Sequence, residues 1–168
     1  MANKAVFFDR DGTLNVDVHY LYKLEEFQWM PEAAEAIEYC HQHGYMVVVI
    51  TNQSGVARGY YAEADVQKLH NWVNEDLARQ GYRPIDAFYY CPHHPQGTVA
   101  EYARECTCRK PQPGMLLKAC EELDIDPASS YMVGDNSRDA EAGEKAGIRG
   151  VLYRGGSLLE CVREMLES

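Results

Sequence analysis

The sequence predicts an α/β fold: a doubly wound, mainly parallel sheet with helices on both faces. Two observations carry this. Short apolar, β-branched runs alternate with helical periodicity along the chain, as βαβ units require. Three chemistry-bearing residues, Asp9, Thr51 and Asp135, each close an apolar run. The carboxyl edge of such a sheet is where ligands bind.

The elements follow in order. Ala5 to Phe8 is a short, continuously apolar strand ending on Asp9. Residues 13–30 have no clean period and read as a loop or small insertion. Pro31 suits the first turn of a helix, with Ala33, Ala36, Ile37 and Cys40 inside and Gly44 as its stop. Met46 to Ile50 is the most strand-like stretch, β-branched, apolar and short. A polar, glycine-bearing loop spans Asn52 to Gly59. A long helix follows from about Ala62 to Gln80, with Val66, Leu69, Val73 and Leu77 on one face. Ala87 to Tyr90 is a third strand. Residues 91–111 carry Pro, Gly, His and Cys without periodicity. Helices are expected at about 114–123, 139–146 and 158–166, and strands at 131–133 and 150–153. No linker or repeat interrupts residues 1–168, so one domain is expected, and residues 13–30 leave no room for a large cap domain.

The chain has 168 residues, 46% of them hydrophobic, and a net charge of −10. Such acidity argues against holding nucleic acid or an anionic membrane surface. Its longest apolar run, Met46 to Ile50, is far too short to span a bilayer. No secretory leader is read in the first residues, so a cytoplasmic address and a monomer are expected. Six cysteines in that compartment suggest thiols or metal ligands before disulfides.

The chemistry starts at Asp9-Arg10-Asp11-Gly12-Thr13. Two carboxylates two residues apart converge if the chain turns, and Gly12 permits the turn. Convergent carboxylates repel unless a cation joins them, and oxygen ligands suit a hard ion such as Mg²⁺. The bland alternative is a solvated Asp-Gly turn; the full pattern after an apolar strand outweighs it. Thr51-Asn52-Gln53-Ser54-Gly55 offers hydroxyls, amides and backbone N–H groups, a phosphate cradle or an ordinary polar loop. Arg109-Lys110 concentrates positive charge in an acidic protein, as an anion site needs. Asp135 places a third carboxylate at the same edge, unless it is only a helix cap. Asp139 reads as a support residue or a helix start. Cys91, Cys106 and Cys108 with one of His93 or His94 match a tetrahedral structural Zn²⁺ site, against the alternative of free surface thiols. Side-chain chemistry alone leaves the choice of histidine open. Cys40, Cys120 and Cys161 fall on helical patterns and read as apolar fillers.

Together these residues resemble the haloacid dehalogenase-like superfamily of phosphohydrolases. Its four motifs appear in order: Asp-x-Asp-Gly-Thr at 9–13, the strand-end Thr51, Lys110, and Gly134-Asp135. The loop at 51–60 and the Cys-Pro-His-His and Cys-Thr-Cys-Arg-Lys segments are similar to a sugar-bisphosphate branch. The histidinol-phosphate branch shares the zinc loop but differs after the threonine. The resemblance implies Asp9 as nucleophile, Asp11 as general acid and base, and Thr51 and Lys110 as holders of the transferring phosphoryl group. It implies Mg²⁺ on Asp9, Asp135 and the Asp11 backbone carbonyl, and Zn²⁺ on Cys91, His93, Cys106 and Cys108 in a loop of about 91–108. Asp9, Arg10, Asp11, Asp17, Val18, His19, Tyr20, Thr51, Asn52, Gln53, Ser54, Arg109, Lys110 and Asn136 would meet the substrate, a small sugar bisphosphate. Asn136 stands where many members carry an acidic residue. A receiver-type phosphoacceptor domain is the competing class. Asp11 argues against it, since a domain that stores phosphate gains nothing from a built-in acid.

Overall fold

Every pairing in the sheet is parallel. The computed structural model describes residues 2–168. Strands β1 (Ala5–Phe8), β2 (Met46–Asn52), β3 (Ala87–Cys91), β4 (Tyr131–Gly134) and β5 (Arg149–Leu152) alternate with helices α1 (Ala33–Gln42), α2 (Glu63–Arg79), α3 (Gly114–Glu122), α4 (Ser137–Lys145) and α5 (Leu158–Glu167). The spatial order is β3-β2-β1-β4-β5. The chain therefore winds one way from β1 to β3, then crosses back to lay β4 on the other side of β1. That reversal opens a crevice at the carboxyl ends of β1 and β4, where Asp9 and Asp135 stand.

Strand alternation divides the core into two layers. Val6, Phe8, Val47, Val49 and Val133 pack with Ala36 and Ile37 of α1, Val73 and Leu77 of α2, and Val162 of α5. Ala5, Phe7, Val48, Ile50 and Met132 pack with Met115, Leu116 and Ala119 of α3 and Ala142 of α4. All four residues of β1 are fully buried. This is why their sequence is continuously apolar and not alternating. Each such side chain contributes about 1.5–3 kcal/mol by leaving water, so the strand that carries Asp9 is firmly seated.

Several boundaries differ from the sequence reading: β2 runs on through Thr51 and Asn52, and β3 and β4 each gain one residue at the carboxyl end. Pro31 does not open α1. Glu32 adopts a left-handed conformation (φ 55°) and the helix begins at Ala33. Helix α4 starts two residues early, because Asn136, not Asp135, caps it: its side chain accepts from the Arg138 N–H, and Asp139 accepts from the Asn136 N–H. Strand β5 lies one residue earlier than expected, ending at Leu152. Residues 13–30 form an irregular wall with one short 3₁₀ turn, Leu24–Glu26. It is anchored by buried Leu14 and Leu21 and by Trp29, whose indole N–H donates to Asp76 at 2.7 Å.

Candidate active site

Asp9 follows β1 directly, and its N–H extends the sheet ladder to the Val133 carbonyl. Its carboxylate meets Lys110, whose Nζ donates to Asp9 Oδ1 at 2.7 Å, to Asp139 Oδ1 at 2.6 Å and to the Ile50 carbonyl at 2.9 Å. Lys110 is almost wholly buried. Burial alone would push its pKa down, but Asp9 and Asp139 overcome that and raise it, so the ammonium is fixed. Burial pushes Asp9 up to about 7; Lys110 pulls it back, while Asp139 and Asp11 add to the rise. One ammonium thus serves several carboxylates.

Oxygens of Asp9, Asp135 and Asp139 lie within 4.8 Å of one another. Asp139 is occupied by Lys110 and by the Asn136 N–H. Asp135 has no cation partner among the described residues. A Cβ on Gly12 would come within 2.2 Å of Asp135 Oδ2, and Gly12 has φ +89°. Only glycine therefore lets the turn bring Asp11 and Asp135 to the same edge. Hard oxygen donors in excess of positive charge fit a magnesium ion.

Asp11 accepts from three side chains. Arg10 Nη2 donates to both carboxylate oxygens at 3.0 Å, Asn15 Nδ2 to Oδ1 at 3.0 Å, and Gln53 Nε2 to Oδ2 at 3.1 Å. Gln53 is itself held, donating to Thr51 Oγ1 at 2.9 Å and accepting from the Tyr61 hydroxyl at 2.6 Å.

These groups line a cavity of about 350 Å³. Of the residues named from the sequence, Asp9, Asp11, Asp17, His19, Tyr20, Thr51, Asn52, Gln53, Ser54, Arg109, Lys110, Asp135 and Asn136 line it. Arg10 and Val18 do not. The Arg10 side chain turns inward and is buried, and Val18 points to solvent. His19 and Tyr20 both have positive φ (58° and 61°), and Tyr20 meets Tyr60 edge-on at 4.7 Å. Four lining residues fell outside the site residues named above: Arg58, Tyr61, His94 and Arg138. Arg138 stands in the first turn of α4, three residues past Asp135, which is the signal that could have found it.

Arg58, Arg109 and Arg138 line the same cavity, and no carboxylate pairs with any of them among the described residues. Arg58 Nε and Arg109 Nη1 are buried without a hydrogen-bond partner. Burial, then the neighbouring Arg138 charge, pushes the Arg109 guanidinium down. Clustered, partly desolvated cations are unfavourable unless an anion joins them.

The second cluster brings Cys91, His93, Cys106 and Cys108 together within 4.8 Å. The His93 Nδ1 stands 3.6 Å from Cys91 Sγ and 3.5 Å from Cys108 Sγ, and the sulfurs are 3.2–3.3 Å apart. His94 turns away to the cavity, where it faces Arg58. A tetrahedral ion with bonds of about 2.0–2.3 Å would set ligand spacings of roughly 3.5–3.8 Å, close to these. Hydrogen bonds from Cys91, Cys106 and His93 pull the Cys108 thiol down, and the same contacts together with burial push the Cys91 thiol up.

A strand-end aspartate, a fixed lysine and a carboxylate two residues on, at the switch point of a parallel sheet, define a haloacid dehalogenase-like hydrolase. Comparison with known proteins agrees. The HAD-hydrolase-like family model matches residues 107–164. The chain is 48% identical over 146 residues to D-glycero-beta-D-manno-heptose-1,7-bisphosphate 7-phosphatase of Pasteurella multocida, covering 87% of this chain and 78% of that one. It is 46% identical over 144 residues to the protein of that name from Escherichia coli K12, covering 86% and 75%. The crystal structure of D,D-heptose 1,7-bisphosphate phosphatase from B. bronchiseptica, complexed with magnesium and phosphate, superposes with a TM-score of 0.82. The two share 31% identity over 98% of each chain. The chain belongs to this family, the heptose-bisphosphate 7-phosphatases among the haloacid dehalogenase-like hydrolases.

Proposed function

We propose that this chain is a magnesium-dependent phosphatase that removes the C7 phosphate of D-glycero-D-manno-heptose 1,7-bisphosphate. The observation that carries the reading is the pairing, in one cavity, of the Asp9–Lys110 centre with three carboxylate-free arginines. One phosphate would meet Asp9, and the other would meet the arginines. A guanidinium grips a phosphate in two places at once. Arg109 adjoins Lys110 in sequence, so the two phosphate sites are set by one segment.

In this reading Asp9 attacks phosphorus in line, the bond to the C7 oxygen breaks, and an aspartyl phosphate forms. Asp11 gives its proton to the departing oxygen. It then takes a proton from the water that attacks the aspartyl phosphate, which restores Asp9 and releases phosphate. Lys110 and Thr51 donate to the phosphoryl oxygens, where charge gathers. Magnesium held by Asp9, Asp135 and the Asp11 backbone carbonyl would supply positive charge between the anionic nucleophile and the anionic phosphate. Zinc on Cys91, His93, Cys106 and Cys108 would be structural, since four protein ligands leave no position for water. The free thiols suit a reducing cytoplasm. Residues 1–168 would act as one domain and as a monomer.

The test compares kcat/KM for the heptose bisphosphate, fructose 1,6-bisphosphate and histidinol phosphate in wild type and Arg109→Ala. Arg109→Ala should lose about 10²-fold on the bisphosphates, as one truncated charge-assisted contact typically costs 2–3 kcal/mol. Its loss on a monophosphate should be much smaller. A wild-type preference for histidinol phosphate would overturn the heptose reading and leave the phosphatase chemistry standing.

A further inference from the structure

Arg10 is among the largest fully buried side chains, although it lies between two carboxylates of the active site. Its guanidinium can only donate. Two of its nitrogens go to Asp11: Nε to Oδ1 at 3.2 Å, and Nη2 to both oxygens at 3.0 Å. Nη2 also donates to the Leu21 carbonyl at 3.2 Å. Nη1 faces His70 Nε2 at 3.3 Å. His70 comes from the middle of α2, sixty residues along the chain, and is buried. Its ring stacks on Phe88 of β3, with centroids 4.4 Å apart and planes 12° apart.

A donor-only guanidinium needs a lone pair opposite it. His70 Nε2 offers one only in the neutral ring with the proton on Nδ1. Burial, and then the Arg10 charge, hold the His70 pKa well below its ordinary value, so the neutral ring persists. The stack on Phe88 fixes the ring plane and the in-plane lone pair. That fixes the guanidinium plane, and a planar fork transmits its orientation to a carboxylate it grips at both oxygens.

We propose that His70, acting through Arg10, is a positioning residue for Asp11. The chain His70–Arg10–Asp11 runs from the core of α2 to the group that exchanges protons with the leaving oxygen and the attacking water. It deepens the phosphatase reading above and rests on it. Asp11 must reach two different oxygens in turn, and a misplacement of about 1 Å costs up to roughly 10²-fold in rate.

The experiment uses the full chain with magnesium and two esters. A sugar phosphate needs a proton on its leaving oxygen. p-Nitrophenyl phosphate does not, because p-nitrophenolate leaves unprotonated. With enzyme in excess, release of the first product reports phosphoryl transfer to Asp9 alone. His70→Leu should slow that step about 10- to 100-fold for the sugar phosphate, with KM within about twofold. For p-nitrophenyl phosphate the same step should stay within about twofold. His70→Gln, whose amide oxygen accepts from Arg10, should recover to within about threefold of wild type. In an Asp11→Asn background, His70→Leu should change the residual rate less than about twofold, because the two act as one unit. Should His70→Leu fail to fold, Arg10→Lys, which keeps the charge and loses the fork, is expected to give the same split between esters. Equal losses on both esters, no loss on either, or additive losses in the double variant would overturn the proposal. Wild type with no turnover of either ester would remove the phosphatase reading, and this proposal with it.

Discussion

Asp139→Asn probes the least obvious part of the site. Asp139 presents two oxygens to two donors: Oδ1 to the buried Lys110 Nζ at 2.6 Å and Oδ2 to the Asn136 N–H at 3.1 Å. An asparagine has one oxygen, and its NH₂ must then face whichever donor is left. Removing one partner of a buried pair costs about 3–5 kcal/mol. Lys110 keeps Asp9 and the Ile50 carbonyl, so about 2–3 kcal/mol is the reasonable figure here. For a chain of this length that lowers Tm by about 4–12 °C. Two effects on rate oppose each other. The Asp139 charge helps to hold the Asp9 pKa up, so its removal leaves the nucleophile better ionised. Lys110, held from one side only, is drawn onto Asp9 and loses its aim at the phosphoryl group. Loss of one preorganised donor costs about 10²–10³ in rate, which exceeds any gain in ionised Asp9. The expected result is kcat down about 10²-fold, measured as phosphate release at saturating magnesium, with Tm by calorimetry. A Tm within 2 °C (roughly the resolution of the argument) and an unchanged kcat would refute the account of Lys110.

Two further outcomes follow from the charges and the thiols. Without metal, Asp9 is raised from 3.8 to about 7. The folded chain then binds more protons than the unfolded chain between those values, so metal-free stability from this group falls as pH rises through that window. Magnesium needs the ionised carboxylate, so its stabilisation should be small at about pH 5 and larger at about pH 8, read as the Tm difference with and without magnesium; equal shifts at both would count against Asp9 as a ligand. Cys106→Ala should lose zinc, with elemental analysis finding one ion per wild-type chain and none in the variant. Activity should fall with it, because the loop carries Arg109 and Lys110 and is tied to α3 by the Gly114 N–H on the Thr107 carbonyl. Full activity in a zinc-free variant would separate the two clusters.

What the sequence made legible is what lies along one strand or one turn. Asp9, Thr51 and Asp135 each follow an apolar run, and the sheet carries each to the edge that its strand reaches. The order of the strands is a different kind of information. Lys110 meets Asp139 across 29 residues, and Arg58, Arg109 and Arg138 meet from two loops and the first turn of α4. No local period encodes such meetings; only the crossing of the chain from β3 back to β4 does. Arg10 is the instructive case. The sequence reading placed it in the substrate pocket beside its neighbours, yet Asp9 and Asp11 line the cavity while the Arg10 side chain turns into the core. Likewise His93 joins Cys91 in the sulfur cluster while its neighbour His94 faces the cavity. In both segments, consecutive polar residues look interchangeable by composition, and only the folded backbone separates them. Asp11 faces the cavity while Arg10, one residue earlier, braces it from the core.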